Sequence, residues 1–206
     1  MSAKEYWGNL YTNNMDACIV RVYQGAHDFL SQLTKHIPTH SVFHNAKSVF
    51  EFGCGTGDFG RLVRLVYRNI QLYKGVDISE PAINYAISHY GGPGLEYSTD
   101  GSLSEGMVYD VVFSSNTLEH FADYRGVVDK MLAIGRYVVL VVPYDQRVLD
   151  GASDEGGAGH VVTLTEQSFS GYSVVDFFTF FTHTWVHGDN PLQMVIMLKS
   201  DKHENS

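Results

Sequence analysis

A short segment rich in glycine contains the first residues that could do chemistry. Residues 51–57 read Glu-Phe-Gly-Cys-Gly-Thr-Gly, directly after the apolar pair Val49 and Phe50. Glycines at this density let the backbone turn sharply and approach a ligand closely. The acid before the first glycine, Glu51, would attract the positive end of a ligand and repel a pyrophosphate. The segment therefore predicts a binding turn for a ligand that carries positive charge.

Two further acids follow apolar stretches of the chain. Asp77 lies in Gly75-Val-Asp-Ile78, 20 positions after Gly57. A carboxylate that ends the second strand is placed to accept hydrogen bonds from two ribose hydroxyls. Asp100, in Thr-Asp-Gly, is a third acid, although Asp-Gly is also common in turns. Asp77 predicts a nucleoside in the ligand without choosing between cofactors that share one.

Two histidines are the candidates for proton transfer. His120 ends the segment Ser115-Asn-Thr-Leu-Glu-His, and His160 lies between a glycine and a valine. A side chain that titrates near neutral pH is suited to removing a proton from a substrate. Each histidine also has a purely structural interpretation, such as orienting a loop at the start of a helix. The sequence leaves both interpretations open.

The apolar pattern predicts the elements that position these residues. Strands are predicted at 47–52, 72–77, 95–99, 109–114 and 137–142, and helical spacing is found at 15–35, 59–66, 81–90 and 121–132. Asp58 is the predicted N-cap of the second helix, and a short helix is predicted at 165–169. Two late strands at 172–185 and 193–199 predict an antiparallel hairpin at the sheet edge. The alternation predicts an α/β fold, a Rossmann-like seven-stranded and mostly parallel sheet with helices on both faces.

Composition limits the class of protein. The 206 residues are 44% hydrophobic and 18% charged, with a net charge of −9 and two cysteines. The net negative charge disfavours a protein that binds nucleic acid mainly through its phosphates, and it disfavours a polybasic membrane anchor. No long apolar segment or signal segment is found, and the cysteine use fits a reducing, cytoplasmic setting. We expect one domain over 1–206, with an N-terminal lid region (1–44), a core (45–199) and a frayed tail (200–206).

A dinucleotide-binding enzyme is the first alternative. Gly55, Gly57 and Gly60 satisfy the Gly-x-Gly-x-x-Gly fingerprint. The predicted strand ends at Phe52, however, so this fingerprint would begin two residues too late for a turn that directly follows its strand. No tyrosine is followed four positions later by lysine, a common proton-donor pair in such enzymes. Gly60 is therefore interpreted as a helix–strand packing position.

The order of strands and the glycine turn resemble the class I S-adenosylmethionine (SAM) methyltransferases. The resemblance spans roughly residues 45–199 and implies SAM as cofactor and S-adenosylhomocysteine (SAH) as product. The segment 115–120 looks like the one ending in Leu-Glu-His in small-molecule methyltransferases of this class. The resemblance assigns contacts with the methionine portion to Glu51, Gly53, Cys54, Gly55 and Gly57. It assigns the ribose to Asp77 and Ile78, the adenine to Asp100 and Gly101, and the sulfonium to Asn116, Thr117 and Leu118. Trp7 and Tyr11 would cover the cofactor from the N-terminal segment.

The resemblance implies methyl transfer to a small-molecule acceptor, more often at oxygen, with His120 or His160 as base. The alternatives are an NAD-dependent oxidoreductase and a non-catalytic SAM-binding partner subunit. A nucleic-acid substrate is disfavoured because Ser-Asn-Thr-Leu replaces the Pro-Pro signature of base methylation. The acidic loop 145–155 is interpreted as a solvated lid, with binding of a divalent cation or of a cationic acceptor as the alternative, and no metal site is assigned. The acceptor and the oligomeric state stay open.

Overall fold

The chain forms one mixed β-sheet with helices packed on both faces. The computed structural model describes residues 2–101, 103, 107–145, 159–182 and 192–203. The strands are β1 (Ser48–Phe52), β2 (Leu72–Val76), β3 (Leu95–Ser98), β4 (Tyr109–Ser115), β5 (Gly135–Pro143), β6 (Ser173–Phe181) and β7 (Leu192–Lys199). Their order is β3-β2-β1-β4-β5-β7-β6, with β1 to β5 parallel and β7 antiparallel to both neighbours. The predicted Rossmann-like sheet with an edge hairpin is confirmed. The segment that joins the two hairpin strands, 183–191, lies outside the described residues.

Five α-helices and three short 3₁₀ turns surround this sheet in the described part of the chain. The helices are α1 (Ala3–Leu33), α2 (Ile37–Asn45), α3 (Asp58–Val66), α4 (Glu80–Tyr90) and α5 (Tyr124–Ile134), and the 3₁₀ turns are Leu118–His120, Glu166–Phe169 and Asp201–His203. None of these described helices combines the length and hydropathy needed to cross a bilayer.

The first helix starts 12 residues earlier than the apolar stripe predicted. Its N-terminus is a capping box: the Ser2 hydroxyl accepts the Glu5 N–H, and the Glu5 carboxylate accepts the Ser2 N–H. The backbone then leaves the helical region at Asn14 (φ −136°, ψ 32°). Consequently Trp7 and Tyr11 lie on a helix that bends before it continues over the sheet.

The helix α2 (Ile37–Asn45) was not predicted from the sequence. Pro38 lies in its first turn, where a missing N–H is harmless, and only Thr39 and Phe43 are buried. Two buried positions in nine residues are too few to produce a periodic stripe. The helix is anchored instead by tertiary hydrogen bonds, because the Thr39 hydroxyl and N–H both donate to Asp176 Oδ2, at 2.6 and 3.3 Å.

The start of α3 corrects one predicted cap. Gly57 occupies the N-cap position with φ +81°, and Asp58 is the first helical residue. The Asp58 carboxylate accepts hydrogen bonds from the hydroxyls of Thr56 and Tyr90, at 2.8 and 2.9 Å. Asp58 therefore turns toward buried hydroxyls, and a left-handed backbone that glycine tolerates supplies the cap position.

The core divides between the two faces of the sheet, and β5 shows how. Val139 and Val141 pack in the cluster beneath α1 to α4, whereas Val138, Leu140 and Val142 pack in the cluster beneath α5. Successive side chains of a strand point to opposite faces, so a strand covered on both sides is apolar throughout. The continuous run in β5 is therefore a consequence of its central, doubly covered position.

Gly60 fills the packing role predicted for it. A Cβ at this position in α3 would overlap the ring of Tyr73 on β2. By contrast, a Cβ at Gly8 in α1 would meet nothing within 4 Å.

These two glycines make a matched test of the packing. We expect Gly60→Ala to lower the free energy of unfolding by about 1–3 kcal/mol through overpacking. We expect Gly8→Ala to raise it by about 0.5–1 kcal/mol, because alanine loses less backbone entropy in a helix. Urea denaturation followed by circular dichroism measures both, and a neutral Gly60→Ala would contradict the close helix–strand contact.

Candidate functional site

The turn after β1 depends on glycine for its conformation. Gly53, Gly55 and Gly57 have φ values of +80°, +51° and +81°, which side-chain-bearing residues rarely adopt. The N–H groups of Gly53 and Cys54 both donate to the Val76 carbonyl at the end of β2, at 2.8 and 3.0 Å. A Cβ on Gly53 would overlap Thr117, which follows β4. The turn is therefore held between the ends of β2 and β4, the two strands that flank β1.

Glu51 places a carboxylate at the base of this turn. Its side chain is buried, with 3% of the residue exposed, and it accepts a hydrogen bond from the Tyr73 hydroxyl. Burial raises the pKa of Glu51 well above its usual range, and the nearby carboxylates of Asp77 and Asp58 raise it further. Such a group favours a cation beside it, because a positive charge would offset the cost of ionising in a buried position.

Asp77 joins two elements of the site. It follows β2 directly, and its two carboxylate oxygens accept the N–H groups of Gly55 at 2.9 Å and Ser79 at 2.8 Å. Burial raises the pKa of Asp77, and these two N–H groups oppose that shift. Ser79 separately caps α4 by accepting the Ala82 N–H. The aspartate thus ties the glycine turn to the start of α4, a contact that the sequence did not indicate.

These elements surround a cavity of about 600 Å³ at the carboxyl ends of the parallel strands. The sequence-predicted residues that line it are Trp7, Tyr11, Glu51, Gly53, Cys54, Gly55, Asp77, Ile78, Gly101, Asn116, Thr117 and His120. They come from five separate segments of the chain.

Four predicted residues lie elsewhere. Gly57 packs against Tyr97 behind the turn, and Leu118 is fully buried in the core beneath α5. Asp100 is exposed and is not part of the cavity wall, although its neighbours Thr99 and Gly101 are. His160 does not line the cavity; its ring packs edge-on against that of His120, with centroids 5.3 Å apart.

The N-terminal helix covers more of the cavity than was predicted. Besides Trp7 and Tyr11, α1 contributes wall residues that the sequence indicated only as helix core or not at all: Ala3, Val22, Gly25, Ala26 and Phe29. These small and apolar side chains carry no chemical signature. Their role depends on the path of α1 across the strand ends, so no local signal identifies them.

The wall of the cavity is acidic. Its ionisable carboxylates are Glu51 and Asp77, and no lysine or arginine belongs to the wall as formed by the described residues. A pyrophosphate would meet repulsion here, whereas an ammonium or sulfonium group would be attracted. The charge distribution is therefore suited to a cationic ligand.

His120 lies where the cavity meets a buried carboxylate. Its Nδ1 donates a hydrogen bond to the Gly159 carbonyl at 3.1 Å, so the neutral ring carries its proton on Nδ1. Burial lowers the pKa of His120 and favours this neutral form. The ring also packs edge-on against Trp7, with centroids 5.3 Å apart. His120 ends a 3₁₀ turn and does not begin the following helix, which starts at Tyr124.

Glu119 was not assigned a role by the sequence analysis. It is 2% exposed, its Oε1 lies 3.9 Å from His120 Nε2 and 3.8 Å from His160 Nε2, and burial raises its pKa to about 8. Within the described residues, its Oε2 has no hydrogen-bond partner. The signal was present in the Leu-Glu-His segment, but only the tertiary structure brings His160 to the same carboxylate.

The acidic loop 145–155 is almost wholly outside the described residues. Only Asp145 is described; its N–H donates to the Leu164 carbonyl at 2.9 Å. The lid interpretation stays a prediction.

Comparison with known proteins agrees with this geometry. Residues 50–134 match the model of a family described as a methyltransferase domain. Together with the strand order, this match confirms the predicted resemblance: the fold is that of the class I SAM-dependent methyltransferases. No curated protein matches the chain.

Several solved structures share the fold at low sequence identity. Magnesium protoporphyrin IX methyltransferase from Synechocystis PCC 6803, with bound SAM, is 14% identical over 97% of each chain, with a TM-score of 0.64. The methyltransferase in complex with the Trm112 activator from Haloferax volcanii is 12% identical over 100% of each chain, with a TM-score of 0.70. The plantazolicin methyltransferase BpumL, in complex with SAH, is 14% identical over 96% of this chain and 95% of its own, with a TM-score of 0.63.

The buried Glu51 predicts a measurable cost to the ligand-free protein. Because its folded pKa is raised, its contribution to stability is full below the unfolded pKa and is lost as pH rises. We expect the uncharged variant Glu51→Gln to be more stable than the natural chain at pH 8, with the difference shrinking toward pH 5. Thermal unfolding of both ligand-free proteins at the two pH values tests this, and a difference that grows toward pH 5 would contradict it.

Proposed function

We propose that the chain binds SAM in this cavity and transfers its methyl group to a small-molecule acceptor at oxygen. The observation that carries the proposal is the charge of the cavity wall: two carboxylates, no cationic side chain among the described lining residues, and a glycine turn between them. An NAD pyrophosphate does not suit this wall, whereas the ammonium and sulfonium of SAM do.

The lining residues divide naturally along such a ligand. Glu51 and the backbone of Gly53 and Gly55 would hold the methionine portion. Asp77 would accept from the ribose hydroxyls, which compete with the N–H groups that it already accepts. Gly101, at the far side, would meet the adenine. These roles are supported by the positions of the residues in the cavity and by the structural neighbours crystallised with SAM or SAH.

The transfer itself needs alignment and loss of one proton. The acceptor oxygen attacks the methyl carbon, the carbon–sulfur bond breaks, and its electron pair stays on sulfur, which becomes neutral. Holding both reactants in line supplies most of the rate enhancement. Trp7 and Tyr11 on α1 would exclude water from this step, and Asn116 and Thr117 would line the methyl's path.

The acceptor's proton leaves near His120. This side chain lines the cavity, and its Nε2 is the ring nitrogen without a proton because Nδ1 donates to Gly159. The neighbouring His160 and Glu119 complete a polar cluster behind it. The small-molecule class of the acceptor is supported by neighbours that are named for such substrates, magnesium protoporphyrin IX among them.

Ligand binding tests the cofactor assignment. By isothermal titration calorimetry we expect SAM and SAH to bind and NAD to give no heat. Asp77→Ala should weaken SAH binding by at least about tenfold, since each lost hydrogen bond to a charged group is worth about 1.5–3 kcal/mol. Glu96→Ala, an exposed acid on the neighbouring β3, is the control and should leave the affinity unchanged. Tight NAD binding without a response to SAH would overturn the proposal.

The role of His120 is tested by separating binding from turnover. Once a screen for SAH release has found an acceptor, we expect His120→Ala to reduce kcat by about 10²–10⁴-fold, the usual contribution of proton transfer. SAH affinity should stay within about twofold, because His120 lies at the acceptor end of the cavity. Exposed His89→Ala serves as the control. Unchanged turnover in His120→Ala would exclude His120 from the reaction.

A further inference from the structure

The cluster behind the cavity has the composition of a metal site. Glu119, His120 and His160 each offer one potential ligand atom, and these atoms all lie within 4.8 Å of one another. Among the described residues, this is the one group of three or more such side chains that converges in this way. Two imidazoles and one carboxylate are a common ligand set for first-row transition metals.

The spacing of the donors is close to that of bound ligands. Glu119 Oε1 lies 3.9 Å from His120 Nε2 and 3.8 Å from His160 Nε2. Two ligands of a tetrahedral zinc ion, each about 2.0–2.1 Å from the metal, are about 3.4 Å apart. The Glu119 oxygen and each of the two histidine nitrogens would therefore need to approach one another by only about half an ångström to share an ion.

The orientation of His120 is the one that a ligand needs. Its Nδ1–H donates to the Gly159 carbonyl at 3.1 Å, so Nε2, which lies 3.9 Å from Glu119 Oε1, keeps a lone pair that can bind a metal. Metal-ligating histidines almost always make such a hydrogen bond with the second nitrogen, which sets the tautomer and the ring direction. The Val161 N–H donates to the Glu119 carbonyl at 2.9 Å and thereby holds the His160 segment beside the 3₁₀ turn.

The carboxylate independently indicates a missing positive partner. The Glu119 side chain is 3% exposed, and among the described residues its Oε2 makes no hydrogen bond. A buried, unpartnered acceptor costs free energy that a protein rarely tolerates without a reason. In the described part of the chain, neither lysine nor arginine forms an ion pair with Glu119; the two groups near its Oε1 are the imidazoles of His120 and His160. A divalent cation bound at Oε1 would supply the positive partner that this carboxylate needs.

We propose that Glu119, His120 and His160 bind one divalent transition-metal ion, of the class of Zn²⁺, Mn²⁺ or Co²⁺. Nitrogen ligands disfavour Mg²⁺ and Ca²⁺, which prefer oxygen. With three protein ligands, the ion would keep an open coordination position. Because His120 lines the cavity, that position would lie near the cavity wall. The cation site stands on its own geometry; its use in catalysis rests on the proposed methyl transfer.

In catalysis, the ion would activate the acceptor in place of an uncoordinated His120. A hydroxyl oxygen in the open position loses its proton to water more readily, because a metal ion lowers the pKa of an oxygen bound to it. That oxygen then forms the bond to the methyl carbon as the carbon–sulfur bond breaks toward sulfur. The histidines act in this step through the ion.

Direct metal binding tests the site without any acceptor. Untagged protein, stripped with a chelator, is titrated by calorimetry with ZnCl₂, MnCl₂ and CoCl₂, and the Co²⁺ complex is followed by its visible absorption. We expect one ion per chain for at least one of these metals, bound more tightly than about 100 μM and at least about tenfold more tightly than Mg²⁺. Glu119→Gln and His160→Ala should each weaken binding by at least about tenfold.

Two controls keep the result specific. The double variant His40→Ala/His44→Ala removes the other closely spaced histidine pair, on α2, and should bind the metal like the natural chain. SAH is also titrated into every variant, and unchanged SAH affinity shows that the fold and the cofactor site are intact. Loss of metal binding is thereby distinguished from loss of cofactor binding. The proposal is overturned if the natural chain binds none of the three metals while binding SAH. It is also overturned if Glu119→Gln and His160→Ala both bind metal unchanged, or if only the α2 variant loses it.

Discussion

The pairing of β1 with β4 is the constraint on which the site depends. The two strands are parallel neighbours in the middle of the sheet, with Val49 opposite Val111 and Glu51 opposite Phe113. The chain leaves β1 toward β2 on one side, and leaves β4 toward β5 on the other. Loops that diverge in this way leave a crevice at the carboxyl ends of the strands. The glycine turn and the segment 115–120 are therefore brought face to face, and Thr117 fills the space that Gly53 leaves open.

The crevice gathers carboxylates in a buried setting at a cost to stability. The pKa values of Glu51, Asp77 and Asp58 are all raised by burial, which means that ionising them opposes folding. Asp77 recovers part of this cost through two backbone N–H groups. Such concentrations of like charge are typical of functional sites, where a ligand of opposite charge completes the arrangement. The acidity of the cavity and its suitability for a cationic cofactor thus have one physical origin.

A further buried acid, Glu119, lies beside His120, which lines the cavity. Its environment differs from that of Glu51, because its neighbours are imidazoles and not carboxylates. Glu51 accepts a hydrogen bond from a tyrosine hydroxyl, whereas one oxygen of Glu119 has no such partner among the described residues. The two acids therefore suit different partners: Glu51 an organic cation, and Glu119 the metal ion that we propose.

Much of the fold was predictable from local patterns. The doubly buried run of β5 and the glycine turn after β1 are strong signals, since each follows from the period or the backbone freedom of its own residues. The helix α2 and the start of α1 were missed. The helix α2 depends on a tertiary hydrogen bond to Asp176, and the start of α1 depends on a capping box in a segment with little apolar pattern. The final strands were predicted as a hairpin, and their antiparallel pairing is confirmed.

The sequence by itself determined the class of fold, the glycine turn and the acids Glu51 and Asp77 at the ends of β1 and β2, because those features depend on residue type and on nearby spacing. Only the tertiary structure decided which side chains share the cavity. It moved Gly57, Leu118 and Asp100 out of the wall, brought five further residues of α1 into it, and placed His160 beside Glu119. The physical reason is distance along the chain: Glu119 and His160 are 41 positions apart, and no local pattern specifies a contact that the packing of two loops creates.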